Sequence, residues 1–232
     1  MRLLLNSSSF VHGRGYFDHC EDEIVDFFGR GSRVLFIPYA QVDTADYALR
    51  TGSRLNAMGL SIEEIDYSAD IADAVRKAKA FFVGGGNTFL LTKRLAEMGL
   101  IEVIRDKVQQ GTPYFGSSAG SNLACPTIMT TNDMPIVEPP SFNALNLVGF
   151  QLSPHYIDSS IEGHMGESRD ERIREYHALN VRIVVGLREG AYLRTEGKDI
   201  EVKGLGGARI FRRDEEPVDV DTGHRLALDG RP

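Results

Sequence analysis

Ser118 sits in Gly116-Ser117-Ser118-Ala119-Gly120, between the apolar Pro113-Tyr114-Phe115 and Ser121-Asn122-Leu123-Ala124. These are the residue types a hydrolase needs around a nucleophile. A serine on a sharp strand-to-helix turn occupies strained backbone, and small residues two positions to either side, here Gly116 and Gly120, let strand and helix approach closely enough to hold it. The N–H of Ala119, opening the following helix, would face the oxygen that becomes negative when Ser118 attacks a carbonyl. The run alone does not separate such an elbow from an ordinary Gly/Ser/Ala connection, so other residues must decide.

A serine hydroxyl is a poor nucleophile until a base takes its proton. Of the six histidines, His155 lies in Gln151-Leu152-Ser153-Pro154-His155-Tyr156, where an apolar strand runs out at the expected sheet edge. His12 and His19 fall in the first loop and helix, His164 in a polar loop, His177 on a helix and His224 near the tail. A carboxylate at a strand end would orient the imidazole. Glu189, in Gly186-Leu187-Arg188-Glu189-Gly190-Ala191, has that place, although pairing in water with Arg188 or Lys198 is an equal reading of the residues. Asp133 is the other carboxylate to consider. The order Ser118, His155, Glu189 differs from that of the α/β-hydrolases and implies a separate solution on a different sheet.

Gly84-Gly85-Gly86-Asn87-Thr88 could bind phosphate through backbone N–H groups but lacks the Gly-Lys-Ser/Thr ending. The favoured role is a second oxyanion donor, assigned to Gly86, opposite Ala119. His155, Asp158, Glu162 and His164 could be read as metal ligands, but they lack the helical spacing of a zinc hydrolase. Neither metal nor cofactor is expected.

The elements that must position these groups follow from hydrophobic patterning. Apolar runs of strand length at 3–5, 34–38, 62–65, 80–83, 113–115 and 183–185 alternate with helical spacing at 21–28, 45–58, 69–78, 88–98 and 101–109. This predicts an α/β fold with a mostly parallel central sheet and helices on both faces. Ligands in such sheets gather beyond the strand C-termini, where both glycine-rich turns should lie. Short strand candidates at 192–194, 200–202, 208–211 and 218–220 predict antiparallel hairpins toward the C-terminus. The expected organisation is a single catalytic domain over 1–232, with a doubly wound core at 1–187, hairpins at 188–225 and a loose tail at 226–232.

With 232 residues, 42% hydrophobic and 25% charged, the chain has an ordinary globular composition. A net charge of −7 argues against nucleic-acid binding, which needs clustered Lys and Arg. The first residues hold too short an apolar run for a signal peptide, and no later stretch approaches the ~20 apolar residues of a membrane span. Two cysteines, Cys20 and Cys125, have no paired spacing. Buried thiols in a reducing cytoplasm are expected.

On these and further residues the chain resembles the peptidase E family, cytoplasmic aspartyl dipeptidases of the class I glutamine-amidotransferase-like fold. The resemblance runs through most of the chain. It covers Val34-Leu35-Phe36-Ile37-Pro38-Tyr39-Ala40, Val83-Gly84-Gly85-Gly86-Asn87-Thr88-Phe89, Ser118-Ala119-Gly120, Asn122-Leu123-Ala124-Cys125-Pro126-Thr127 and 130–137. Pro154-His155, Glu162-Gly163-His164, Gly166-Glu167-Ser168-Arg169, Arg172-Ile173-Arg174-Glu175 and Gly223-His224-Arg225 follow in order. The family's serine, histidine and glutamate fall on Ser118, His155 and Glu189.

The resemblance implies hydrolysis of dipeptides with an unblocked N-terminal aspartate, through an acyl-enzyme, without metal or cofactor. Arg169, in a loop expected to close over the substrate, would bind the aspartate side chain by two parallel hydrogen bonds. Asn87 and Thr88 would add neutral hydrogen bonds, and Asp133 would accept from the free amine. Ser117 stands where the family has a bulky aromatic, an exchange expected to enlarge or wet the pocket; Ser121 replaces alanine and Ser168 threonine. A cyanophycinase-like hydrolase of β-aspartyl substrates and a non-catalytic binding protein for an acidic metabolite are the alternatives. A homodimer is one assembly the chain could form.

Overall fold

The computed structural model describes residues 1–63, 71–158 and 166–228. A seven-stranded sheet in the order β3-β2-β4-β5-β1-β8-β9 carries the site. Its strands are β1 (Arg2–Asn6), β2 (Arg33–Ile37), β3 (Ser61–Glu63), β4 (Phe81–Val83), β5 (Tyr114–Ser117), β8 (Ala191–Glu196) and β9 (Asp199–Gly204). The first five run parallel, whereas β8 joins β1 and β9 joins β8 antiparallel. Both faces of the central strands are covered, which is why β1, β2 and β4 read as apolar runs. Leu3 and Leu5 of β1 enter one core while Leu4, between them, enters the other.

The first core lies under α3 (Ile71–Lys77), α4 (Thr88–Glu97), α5 (Leu100–Gln109) and α6 (Ala119–Leu123) and includes Leu91, Leu95, Ile104 and Val108. The second lies under α1 (Glu21–Phe28) and α2 (Thr44–Ala57), where Ile24, Phe27 and Leu55 meet Phe82 and Phe115, whose stacked rings have centroids 4.5 Å apart. Asp43 starts α2 by accepting the Asp46 N–H at 2.9 Å, and Asn87 starts α4 by accepting that of Leu90 at 3.0 Å.

A second sheet has the order β11-β10-β7-β6, built from β6 (Gln151–Tyr156), β7 (Val184–Arg188), β10 (Ala208–Phe211) and β11 (Val218–Val220). Its Leu152, Val185, Leu187 and Ile210 close the first core. Two expectations are corrected here. The 183–185 strand leaves the central sheet and pairs with β6 and β10. Conversely, the hairpin expected to follow a core ending at 187 extends the central sheet, because β8 docks on β1. Parts of the expected strand 62–65 and helix 69–78, and the tail beyond 228, lie outside the described residues.

The approach of α6 to the sheet depends on the absence of a side chain at Gly120, where a Cβ would stand 2.1 Å from the Val83 carbonyl oxygen. Backbone cannot yield as a flexible side chain would. Gly120→Ala is expected to lower unfolding free energy by about 3 kcal/mol, the upper end of overpacking costs, as measured by urea denaturation. A change below about 1 kcal/mol would mean that α6 is free to shift.

Candidate active site

Strand β5 delivers Ser118 to the C-terminal edge of the sheet, directly before α6. Its backbone has φ 51° and ψ −106°, outside the regions an L-residue ordinarily adopts. The turn is possible because a Cβ on Gly116 would meet the Gly120 carbonyl oxygen at 2.5 Å. Ser118 N–H donates to the Asn6 carbonyl at 2.9 Å, and the Ser118 carbonyl accepts from Ser121 and Asn122. The strained residue is thereby anchored on both sides.

His155 arrives from the second sheet. Its Nε2 lies 3.0 Å from Ser118 Oγ and its Nδ1 3.1 Å from Glu189 Oε1. Glu189 occupies the turn between β7 and β8, followed by Gly190 at φ 75°. The structure brings these three side chains together, hydroxyl to imidazole to carboxylate. Such a chain lets the imidazole take the serine proton while the carboxylate holds the tautomer and stabilises the resulting charge. Asp133 is not the partner of His155.

Around the second glycine turn, Gly84 N–H donates to Ile37 O, Gly85 N–H to Tyr47 Oη at 2.9 Å, and Asn87 N–H to Ala40 O. Burial raises the pKa of the Tyr47 phenol, so it remains neutral. The Gly86 N–H has no protein acceptor among the described residues. Gly86 adopts φ 139°, and a Cβ there would stand 2.4 Å from Ala40 O. A Cβ on Gly85 would come within 3.2 Å of Ser118 Cβ, which places this turn against Ser118. Ala119, as first residue of α6, has an N–H that no carbonyl of its own helix can accept.

Of the remaining predicted residues, Arg169 bonds Asn132, while Asn87 and Thr88 bond Met134 and Asp133. Arg169 Nη1 donates to Asn132 Oδ1 at 2.5 Å, while Asn132 Nδ2 donates to the carbonyl of Pro154 at 2.9 Å, one residue before His155. Arg169 is half-buried and has no carboxylate partner among the described residues. Burial, and secondarily Arg172, lowers its pKa. The expectation of a loop is corrected: Arg169 opens helix α7 (Arg169–Leu179). Ser168 caps that helix by accepting the Glu171 N–H, and the Glu171 carboxylate accepts the Ser168 N–H in return.

Asp133 Oδ2 accepts from Thr88 N at 2.7 Å, Thr88 Oγ1 at 2.5 Å and Thr131 Oγ1 at 3.1 Å, which fixes the carboxylate. Thr88 is fully buried, so it supports Asp133 instead of presenting its hydroxyl at the surface. Asn87 caps α4 with its oxygen and donates to Met134 O at 2.7 Å, leaving one amide proton. Ser117 also departs from expectation. Its side chain is fully buried beside Asn6 with Oγ unpartnered, so it does not wet an open pocket.

Asn132, Thr131 and Ser7 are not among the residues the sequence singles out: the first two immediately precede Asp133, and Ser7 lies in the polar run that follows β1. Of the metal reading, Glu162 and His164 lie outside the described residues, and both oxygens of Asp158 accept from Arg188. Among the described residues no group of three or more His, Cys, Asp and Glu is placed to hold a metal ion. No described helix is long and apolar enough to cross a membrane.

A hydroxyl, an imidazole and a carboxylate in series at the strand ends of an α/β sheet define a serine-type hydrolase. The sequence profile of peptidase family S51 matches residues 3–203, and the chain belongs to that family. It is 44% identical over 228 residues to peptidase E of Streptomyces coelicolor, covering 98% of this chain and 94% of that one. It is 45% identical over 216 residues to a probable alpha-aspartyl dipeptidase of Drosophila melanogaster, covering 91% and 90%. Among solved structures, a Listeria monocytogenes EGD-e protein described as a peptidase E superposes with a TM-score of 0.68 at 27% identity, covering 88% and 98%.

Arg188, next to Glu189, forms an ion cluster with Asp158 and Asp219 and lies over the Tyr156 ring. Its hydrogen bonds hold the Asp158 carboxyl below the usual carboxylate range. A carboxylate whose folded pKa is depressed stabilises the fold above its unfolded pKa and loses that contribution as pH falls through the folded one. Asp158→Asn is therefore expected to reduce stability at neutral pH by up to about 1 kcal/mol, given solvent screening. In calorimetry the gap to wild type should close as pH is lowered beneath the usual carboxylate range. A pH-independent gap would show that charge is not the cause.

Proposed function

We propose that this chain hydrolyses Asp-X dipeptides bearing a free N-terminal aspartate, as a serine-type aspartyl dipeptidase. The observation that carries this reading is the Ser118–His155–Glu189 series, with Arg169 and Asp133 flanking Asn132 beside it. His155 Nε2 takes the Ser118 proton as Oγ attacks the aspartyl carbonyl, and Glu189 stabilises the imidazolium. The Gly86 and Ala119 N–H groups receive the oxyanion. The imidazolium then protonates the leaving amine, and water, deprotonated by His155, cleaves the acyl-enzyme.

Aspartate is selected by charge. The Arg169 guanidinium pairs with the substrate side chain, the remaining Asn87 amide proton supplements it, and Asp133 Oδ1 accepts from the α-amine. The name of the Drosophila relative supports an α-linkage. Two unpaired buried cysteines suit a reducing compartment, and we assign the protein to the cytoplasm.

Ser118→Ala is expected to lower kcat on Asp-Leu by at least about 1,000-fold with the fold intact. Unchanged turnover in a steady-state assay rejects the nucleophile. Arg169→Ala should lower kcat/KM on Asp-Leu by about 10- to 100-fold, the worth of hydrogen bonds to a charged group. Comparing Asp-Leu, β-Asp-Leu, Asn-Leu and N-acetyl-Asp-Leu tests linkage, charge and amine separately. Preference for β-Asp-Leu would favour the cyanophycinase-like alternative, and binding of Asp-Leu without turnover a binding protein.

A further inference from the structure

His155 reaches Ser118 through an irregularity in its own strand. Along the β6–β7 pairing, Pro154 lies opposite Leu187 and Tyr156 opposite Arg188, leaving His155 as an extra residue between two consecutive partners. Its φ is 53°, in the left-handed region. A bulge of this kind re-aims a side chain, and a non-glycine residue persists there only when its surroundings over-determine it. One side chain from the other sheet does so. Ser7, fully buried at the end of β1, accepts the His155 N–H at 2.9 Å and donates its own proton to the Leu187 carbonyl at 2.8 Å. Its hydroxyl thus bonds both sides of the bulge.

The neighbouring residues hold the other two members of the series. The Asn6 carbonyl accepts from Ser118 N at 2.9 Å and from Ser121 Oγ at 2.7 Å. Ser8 Oγ accepts the N–H of Gly190, next to Glu189, at 3.0 Å. Ser7 itself is fixed by its N–H, which donates to Ala191 O at 3.0 Å.

The geometry points to Ser7 as a positioning residue: its hydroxyl locks the bulge that turns His155 toward Ser118. This rests on the serine-hydrolase reading above. Without the hydroxyl, the His155 N–H and the Leu187 carbonyl lose a shared buried partner, and His155 can relax toward regular strand geometry and away from Oγ.

The test compares Ser7→Ala with Thr130→Val in Asp-Leu hydrolysis, at a temperature where thermal melting shows both variants folded. Thr130 also places a buried hydroxyl on the β6 backbone, donating to Leu152 O at 2.7 Å, but away from the bulge. Ser7→Ala is expected to lower kcat by about 10- to 100-fold with KM within about twofold, the signature of a displaced catalytic group. Thr130→Val should keep kcat within about threefold of wild type, as for a bond lost away from the reacting groups. Wild-type kcat in folded Ser7→Ala, a loss confined to KM, or an equal loss in Thr130→Val overturns the assignment.

Should Ser7→Ala not fold, hydrogen exchange of the wild-type His155 amide decides: slow exchange supports the bond, and exchange at an unstructured-chain rate overturns it. Ser118→Ala, assayed alongside, separates the two proposals. If it abolishes hydrolysis while Ser7→Ala does not, only the role of Ser7 falls; if it leaves hydrolysis intact, the serine reading falls.

Discussion

The site depends on how closely one short helix can lie against the sheet. Helix α6 touches β5 and β4 backbone to backbone at Gly116 and Gly120, and no side chain fits between them. That contact forces the chain to turn within one residue, and Ser118 is the residue that turns. Its backbone conformation costs about 1–3 kcal/mol, offset by the bond from its N–H to Asn6 and by the two bonds its carbonyl accepts. The hydroxyl is consequently fixed before any substrate arrives, and ordering it adds nothing to the barrier.

In the proposed reaction a base must then be brought to a hydroxyl whose backbone is already fixed. The two groups belong to different sheets, so their separation is set by packing between sheets and not by any local motif. Leu152, Val185 and Leu187 of the second sheet share a core with Leu3 and Leu5 of the first, which fixes the sheets against each other. Burial also pushes the Cys125 thiol up to about 12, leaving it neutral and able to accept the Leu152 N–H just after α6. Packing sets distance but not direction. Direction comes from the bulge at His155, and the turn joining β7 to β8 supplies Glu189 where the sheets meet.

The parts legible in the sequence are those whose cause is local. Gly116 and Gly120 announce the elbow because steric exclusion acts over a few residues, and the limits of α1 and α5 follow from their own periodicity. The 183–185 run shows itself as a strand but not which sheet it joins, since its β-branched composition carries no record of its partner. At Arg169 the capping-box spacing of Ser168 and Glu171 is hidden among glycine and charged residues that resemble a loop. Ser7 was illegible in a stricter sense. Its contact with His155 spans 148 positions, and a serine at a strand end looks the same whether it faces solvent or fastens another sheet.

Arg169 connects recognition to chemistry in the proposed reaction. A half-buried guanidinium has lost part of its hydration, and its bond to Asn132, a neutral amide, returns less than a carboxylate would. An aspartate side chain supplies the missing charge, whereas leucine at the same place would leave the cation desolvated and unpaired. Discrimination therefore draws on a penalty against the wrong substrate as well as a gain with the right one. Asn132 transmits the consequence, because the amide that holds Arg169 also donates to the Pro154 carbonyl, the residue before His155. The cation that reads the substrate and the imidazole that activates the serine are thus positioned from a single side chain.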